Sequence, residues 1–269
     1  MPYELSIIGA GNMAEAIVRG LFTAKRLSPQ QVMAADVSPA RRELFGSLGI
    51  RAVERAVDAA GDAATVLLSV KPQQMADVLA ALGPVVRPET LLISIAAGKA
   101  TGFIEKHLGG QARRVVRAMP NTPMLIGEGM VGICRGAHAT DVDMATARRM
   151  FEASAAVIEV AEELIDGVTA ISGSGPAYFY FLVEQLVQAG VEMGFTEQQA
   201  HLLATRTALG AAKLLLASPD SPKELRRKVT SPGGTTQAAM EVMESRGVPE
   251  ALRAAFHRAA QRGKELAAG

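Results

Sequence analysis

The stretch YELSIIGAGNMAEAIVRGL, beginning at Tyr3, constrains the fold more than any other part of the chain. A β-branched run over residues 4–8 leads into Gly9-Ala10-Gly11, and an amphipathic helical pattern over residues 12–23 follows. The first two glycines permit a tight strand-to-helix turn and a close approach to the backbone, and Ala14 lets the helix lie near the strand. The helix start carries unpaired N–H groups and a partial positive charge, which suit an anion. A second strand run, residues 31–36, ends on Asp36 at the spacing where a dinucleotide-binding unit places an acidic residue. The turn therefore predicts a dinucleotide site rather than a plain strand–helix connection.

Asp36 by itself favours NAD, because it accepts from ribose hydroxyls and repels a 2′-phosphate. The VSPARR turn that follows supplies Ser38, Arg41 and Arg42, which suit that phosphate or serve as a helix cap and solvated arginines. The local sequence leaves NADP and NAD both open.

Strand candidates at residues 65–70, 91–95 and 113–119 alternate with helix candidates at 39–48, 73–82 and 101–107. Such alternation predicts an α/β, doubly wound Rossmann-type sheet covered by helices on both faces. A glycine-rich run from Gly127 to Gly136, a helix over 141–154 and a short strand at Val157 close this half. Strand signals then stop. Helical stretches follow at 164–171, 176–193, 197–217, 222–229, 235–245 and 249–268, with Pro, Ser or Thr near most starts. The change divides the chain into a dinucleotide-binding domain, 1–162, and an all-α domain, 163–269. Several late helices are apolar on more than one face, which predicts a tightly packed homo-oligomer. The most apolar, from Pro176, reads as a helix buried on most sides.

Ligands of parallel sheets bind beyond the carboxyl ends of the strands. Three such ends carry unusual chemistry: SVKPQQ from Ser69, SIAAGKA from Ser94 and RAMPNTP from Arg117. Lys71-Pro72 starts a helix with a fixed turn, Ala96-Ala97-Gly98 lets a ring lie against backbone, and Asn121 offers an amide. Each also fits turn chemistry alone.

A second glycine loop, SPGGTT at residues 231–236, opens another helix. Gly233 and Gly234 expose amides, with Thr235 or Thr236 as cap, so the loop suits a small carboxylate or forms a Pro-Gly turn with a threonine cap.

The formal net charge is +1 in 269 residues with no run of like charge, which argues against a nucleic-acid surface. His107, His138, His201 and His257 are scattered and Cys134 is alone, so neither a metal site nor a disulfide is expected. No apolar stretch is long and uninterrupted enough for a membrane span, and the lone thiol points to the cytoplasm.

The strings IIGAGNM, SVKPQ, SIAAG, RAMPNTP, ISGSGPAY and TSPGGTT, in this order over essentially the whole chain, resemble the pyrroline-5-carboxylate reductases, the last enzymes of proline synthesis. The resemblance implies a Rossmann domain followed by an all-α dimerisation domain, a homodimer, and in many members assembly into decamers. It implies hydride transfer from NADPH, with NADH as an alternative donor, to the cyclic imine 1-pyrroline-5-carboxylate, giving L-proline. The family's cofactor contacts fall on Ile8, Gly9, Ala10, Gly11, Asn12 and Met13, on Asp36 and Ser38, on Ser69, Val70, Lys71 and Pro72, and on Ile95, Ala96 and Ala97. Its substrate contacts fall on Thr235, Thr236 and Glu162, and Thr236 takes the role of proton donor or relay. The chain has Ala56 where many relatives have an asparagine at the adenosine end.

Such an electrophilic imine carbon needs little covalent or metal help, so orientation and a carboxylate receptor carry the demand. A β-hydroxyacid dehydrogenase-like enzyme has a similar plan but needs a catalytic lysine in the second domain, for which Lys213 is the candidate.

Overall fold

The computed structural model describes residues 3–110 and 112–268. Among them, eight strands form one sheet: β1 (Tyr3–Ile8), β2 (Val32–Ala35), β3 (Arg51–Val53), β4 (Ala63–Leu68), β5 (Leu91–Ser94), β6 (Arg114–Met119), β7 (Gly129–Arg135) and β8 (Ala155–Glu159). Their order is β3-β2-β1-β4-β5-β6-β7-β8. Pairing is parallel from β3 to β6, antiparallel between β6 and β7, and parallel again between β7 and β8.

The helices of this half are α1 (Asn12–Thr23), α2 (Pro39–Ser47), α3 (Ala56–Ala60), α4 (Met75–Leu82), α5 (Thr101–His107) and α6 (Asp141–Phe151). Strand side chains alternate between two cores, as the pleat requires. Leu5, Ile7, Leu67, Ile93 and Val116 pack with Ile17 of α1, Phe45 of α2 and Phe151 of α6. Ile8, Val66, Leu68, Leu92 and Val115 pack with Ala59 of α3, Met75 and Leu79 of α4 and Ile104 of α5. Burial on both faces explains why these strands read as continuous apolar runs. Each fully buried Leu or Ile contributes about 1.5–3 kcal/mol of transfer free energy.

The remaining helices are α7 (Ile165–Val168), α8 (Gly175–Glu192), α9 (Glu197–Ala217), α10 (Pro222–Lys228), α11 (Thr235–Ser245) and α12 (Val248–Ala268), with a π-turn at Thr169–Gly173 after α7. Compactness divides the chain after Ser174: residues 175–258 form one unit, and the segment from Ala259 groups with the sheet. Residues just beyond 162 pack with the sheet unit, because Arg117 of β6 bonds the side chains of Glu162 and Asp166.

Within the 175–258 unit, α8 and α9 approach closely where a Cβ on Gly190 would lie 2.8 Å from that of Ala200. Thr196 and Gln199 form a capping box at the start of α9. The rings of Tyr178 and Phe256 sit 4.9 Å apart. The expectation that α8 is buried on most sides does not hold within one chain. Phe179, Tyr180 and Phe181 are each at least 60% exposed, and Leu202 and Leu216 of α9 likewise. These exposed apolar side chains are what made the helix read as buried.

Candidate active site

Gly9 follows β1 with φ +96°, and a Cβ there would lie 2.7 Å from the Ser69 carbonyl oxygen. Glycine is thus required twice, for conformation and for the contact between the ends of β1 and β4. The Gly9 amide donates to Ala35 O at 2.8 Å, and the Ser69 amide donates to Ile8 O at 2.8 Å. These bonds join the carboxyl ends of β1, β2 and β4 into one platform.

Gly11 is the N-cap of α1, and no side chain caps that helix. A Cβ on Gly11 would meet nothing within 4 Å. It would instead intrude on a cavity of about 570 Å³ lined by Gly9, Gly11, Asp36, Ser38, Ser69 and Lys71, with Ile8 and Val70 also in the wall. A glycine-walled cradle at an uncapped helix start fits a dinucleotide pyrophosphate. Glu54, Asp77 and Val78 are also in the wall and were not expected; their signal is only that they follow β3 or open α4. Ala56 also lines it, so the departure from the family pattern lies on the cavity surface.

Asp36 does more than line the cavity. Its Oδ2 accepts from the Ala10 amide at 2.7 Å and its Oδ1 from the Ser38 amide at 2.8 Å. Ser38 precedes Pro39 at the start of α2 but makes no side-chain cap. Neither neighbouring arginine is simply solvated. Arg41 bonds the Ala10 carbonyl and pairs with Glu15 at 3.1 Å, while Arg42 donates to the carbonyls of Asp36 at 2.8 Å and Val37 at 2.9 Å. Arg19 and Arg41 together hold the Glu15 carboxyl below its ordinary range, against the opposing effect of partial burial.

Ala10, Asn12, Met13 and Pro72 belong to the same turns but do not line the cavity. Ile95, Ala96 and Ala97 follow β5 next to it in the sheet order, and the Ile95 amide donates to Leu68 O at 3.1 Å. Asn121 is tied to the chain itself. Its side chain is nearly buried, accepts from the Met130 amide at 2.9 Å and donates to Ser172 O at 3.2 Å.

Glu162 is also occupied. Its Oε1 accepts from the Thr101 amide and its Oε2 from the Thr101 hydroxyl, both at 2.7 Å. Buried Arg117 lies between Glu162 and Asp166, 3.5 Å from each.

In the 175–258 unit, SPGGTT makes a turn in which Gly233 adopts φ +70° and Gly234, not a threonine, occupies the N-cap of α11. Thr235 and Thr236 are the first two helical residues, so both hydroxyls are released from capping. Thr235 is exposed and Thr236 half-buried. The Gly233 amide is held by Gln237 Oε1 at 2.8 Å, and the Gly234 amide by Ser231 O at 3.0 Å. A larger cavity of about 620 Å³ between α10 and α11 includes none of residues 231–236. Its Glu224 and Arg227 neutralise each other at 2.6 Å, and we assign it no chemistry. Among the described residues no His, Cys, Asp and Glu cluster could hold a metal ion, and no helix is long and apolar enough to cross a membrane.

Residues 162–266 match the family model for pyrroline-5-carboxylate reductase dimerisation, and residues 4–98 match the model described as NADP oxidoreductase, coenzyme F420-dependent. The chain is 42% identical to a pyrroline-5-carboxylate reductase of Pseudomonas aeruginosa, over 98% of this chain and 97% of the relative. The chain belongs to the pyrroline-5-carboxylate reductase family. The family's enzyme from Synechocystis is 40% identical over 98% of this chain and all of its own length. Among solved structures, the reductase of Coxiella burnetii superposes with TM-score 0.90 at 37% identity, covering 99% of both chains. That of Plasmodium falciparum, solved with NADP bound, gives 0.89 at 26% identity over 98% of both chains.

Proposed function

We propose that this chain reduces 1-pyrroline-5-carboxylate to L-proline with NADPH, as a homodimer. The observation that carries the reading is the Gly9–Gly11 loop, which opens the start of α1 onto the cavity at the ends of β1, β2 and β4 in a member of this family. The bound dinucleotide supplies the hydride. Gly11, Asn12 and Met13 offer amides and the α1 dipole to the pyrophosphate, while Gly9 and Ala10, whose amides are held by Ala35 and Asp36, shape the loop against it. Ser69, Val70, Lys71 and Pro72, then Ile95, Ala96 and Ala97, continue the cofactor contact along the strand ends. NADPH is favoured over NADH because the Asp36 carboxylate is committed to two backbone amides and Arg42 stands beside it. NADH remains usable as a second donor.

The imine needs a carboxylate receptor and a proton for its nitrogen. The first turn of α11 receives the carboxylate with its backbone dipoles, Gly233 and Gly234 let the substrate approach it closely, and the Thr235 and Thr236 hydroxyls add hydrogen bonds. Hydride adds to the ring carbon of the C=N bond while the π pair takes a proton at nitrogen. Thr236, the catalytic residue, hydrogen-bonds that nitrogen and relays the proton. The exposed faces of α8 and α9 belong to the dimer contact, and dimers gather into decamers. The free, buried Cys134 suits a reducing cytoplasm.

The test mixes purified protein, NADPH and 1-pyrroline-5-carboxylate and follows cofactor absorbance. We expect oxidation dependent on the imine; none at any pH between 6 and 9, on the order of the range where imine and cofactor can both be presented, would end the proposal.

A further inference from the structure

The α5 helix begins badly by its own means. Ala100 occupies the N-cap and has no side-chain acceptor for the first-turn amides. The missing cap comes from far along the chain. Glu162 takes the Thr101 amide on one oxygen and the Thr101 hydroxyl on the other, both at 2.7 Å. Arg117, only 4% exposed, holds the same carboxylate and Asp166 at 3.5 Å. Arg117 is the register partner of Ser94 at the end of β5, and Ser94 Oγ accepts from the Ala96 amide at 3.3 Å. The connection from Ile95 to Ala100 is therefore anchored at both ends: at Ser94 by the sheet, and at Thr101 by Glu162.

We propose that Glu162 is a positioning residue for the cofactor, acting through Thr101 on the Ile95–Ala97 segment, rather than a contact for the imine carboxylate. The proposal rests on the reductase reading for the identity of the cofactor. Its geometry is independent of substrate, since both carboxylate oxygens face Thr101. Without this cap, α5 frays at its first turn and the segment before it samples several arrangements. Only the fraction of molecules in the competent arrangement binds, so the apparent cofactor affinity falls in proportion.

The test measures the Kd for NADPH of the cofactor-free protein from dihydronicotinamide fluorescence, which no tryptophan in this chain obscures. KM for the imine is measured at saturating NADPH. Glu162→Ala is expected to raise the Kd about five- to tenfold, the equivalent of a lost helix cap, with KM for the imine within about twofold. Glu162→Gln keeps one acceptor and loses less. Thr101→Val loses affinity in the same direction, Thr101→Ser loses less than Thr101→Val, and combining Glu162→Ala with Thr101→Val adds little to Glu162→Ala alone. An unchanged Kd with a raised KM for the imine would return Glu162 to the substrate and overturn the proposal. An unchanged Kd with a lowered Tm would overturn it too, leaving only a structural cap. If the wild-type chain binds NADPH but never turns over the imine, the reductase reading fails and the Kd comparison still decides the role of Glu162.

Discussion

The Asp36 carboxylate reaches from the end of β2 into the glycine loop and accepts the Ala10 amide at 2.7 Å. An acidic residue at this position ordinarily faces the cofactor's ribose. Here its second oxygen takes the Ser38 amide, so the side chain clamps the two turns that wall the cavity. Asp36→Ala should cost about 2 kcal/mol of stability, the scale of lost hydrogen bonds to a charged acceptor, read from urea unfolding. Affinities for NADPH and NADH should fall together. A gain for NADPH with a loss for NADH would mark Asp36 as a ribose acceptor instead.

Gly9 and Gly11 answer to different constraints, and paired substitutions separate them. Gly9→Ala forces a Cβ to within 2.7 Å of Ser69 O at a positive φ, so it should destabilise the fold by about 2 kcal/mol or more. Gly11→Ala meets no atom within 4 Å and keeps φ −74°, so its melting temperature should stay near wild type. Its methyl enters the cradle, so NADPH binding should fall at least tenfold, about 1.4 kcal/mol. A Gly11→Ala protein that binds NADPH normally would remove the pyrophosphate from this loop.

Cys134 supplies a pH signature. Burial pushes its thiol up to about 12, and the nearby Glu162 charge adds to the rise. The folded state thus keeps the proton that an unfolded thiol releases near its ordinary value of 9.0. Below that value the thiol has no effect on stability; as pH rises toward 12 the unfolded state is increasingly favoured. Wild type should lose on the order of a few kcal/mol more than Cys134→Ala over that window. Parallel stability curves for the two proteins would show that the thiol is not protected.

Local pattern made much of this site legible, and long-range contact hid the rest. The spacing of Ala14, Ile17, Val18 and Leu21 announces α1, because all of them are buried on one helical stripe. The glycines of the first loop and Asp36 declare a dinucleotide turn because the geometry they need is local. The Gly127 to Gly136 run was opaque as a strand. Gly129 and Gly132 are in β7 because a Cβ would strike Met124 and Ala155 at one and Val168 at the other. The roles of Asn121 and Glu162 were equally hidden, since Ser172 lies 51 residues from the first and Thr101 lies 61 from the second. Nothing in a local motif records such partners. Thr235 and Thr236 read as caps from their residue type, yet Gly234 takes the cap and frees both hydroxyls.

The proton relay proposed for Thr236 sets a kinetic expectation. Thr236→Ala should lower kcat by about a hundredfold or more, the scale of a lost proton relay, while the Kd for NADPH changes less than about twofold. Thr236→Ser should recover most of the loss. Equal turnover in the alanine variant would take the proton relay away from Thr236.

The central claim is hydride transfer from a reduced nicotinamide to the imine carbon, and its most direct measurement uses NADPH deuterated at both nicotinamide C4 positions. Mass spectrometry of the product should show L-proline carrying one deuterium at the ring carbon that was double-bonded to nitrogen. Unlabelled proline, or no proline while the cofactor is bound, would contradict the account.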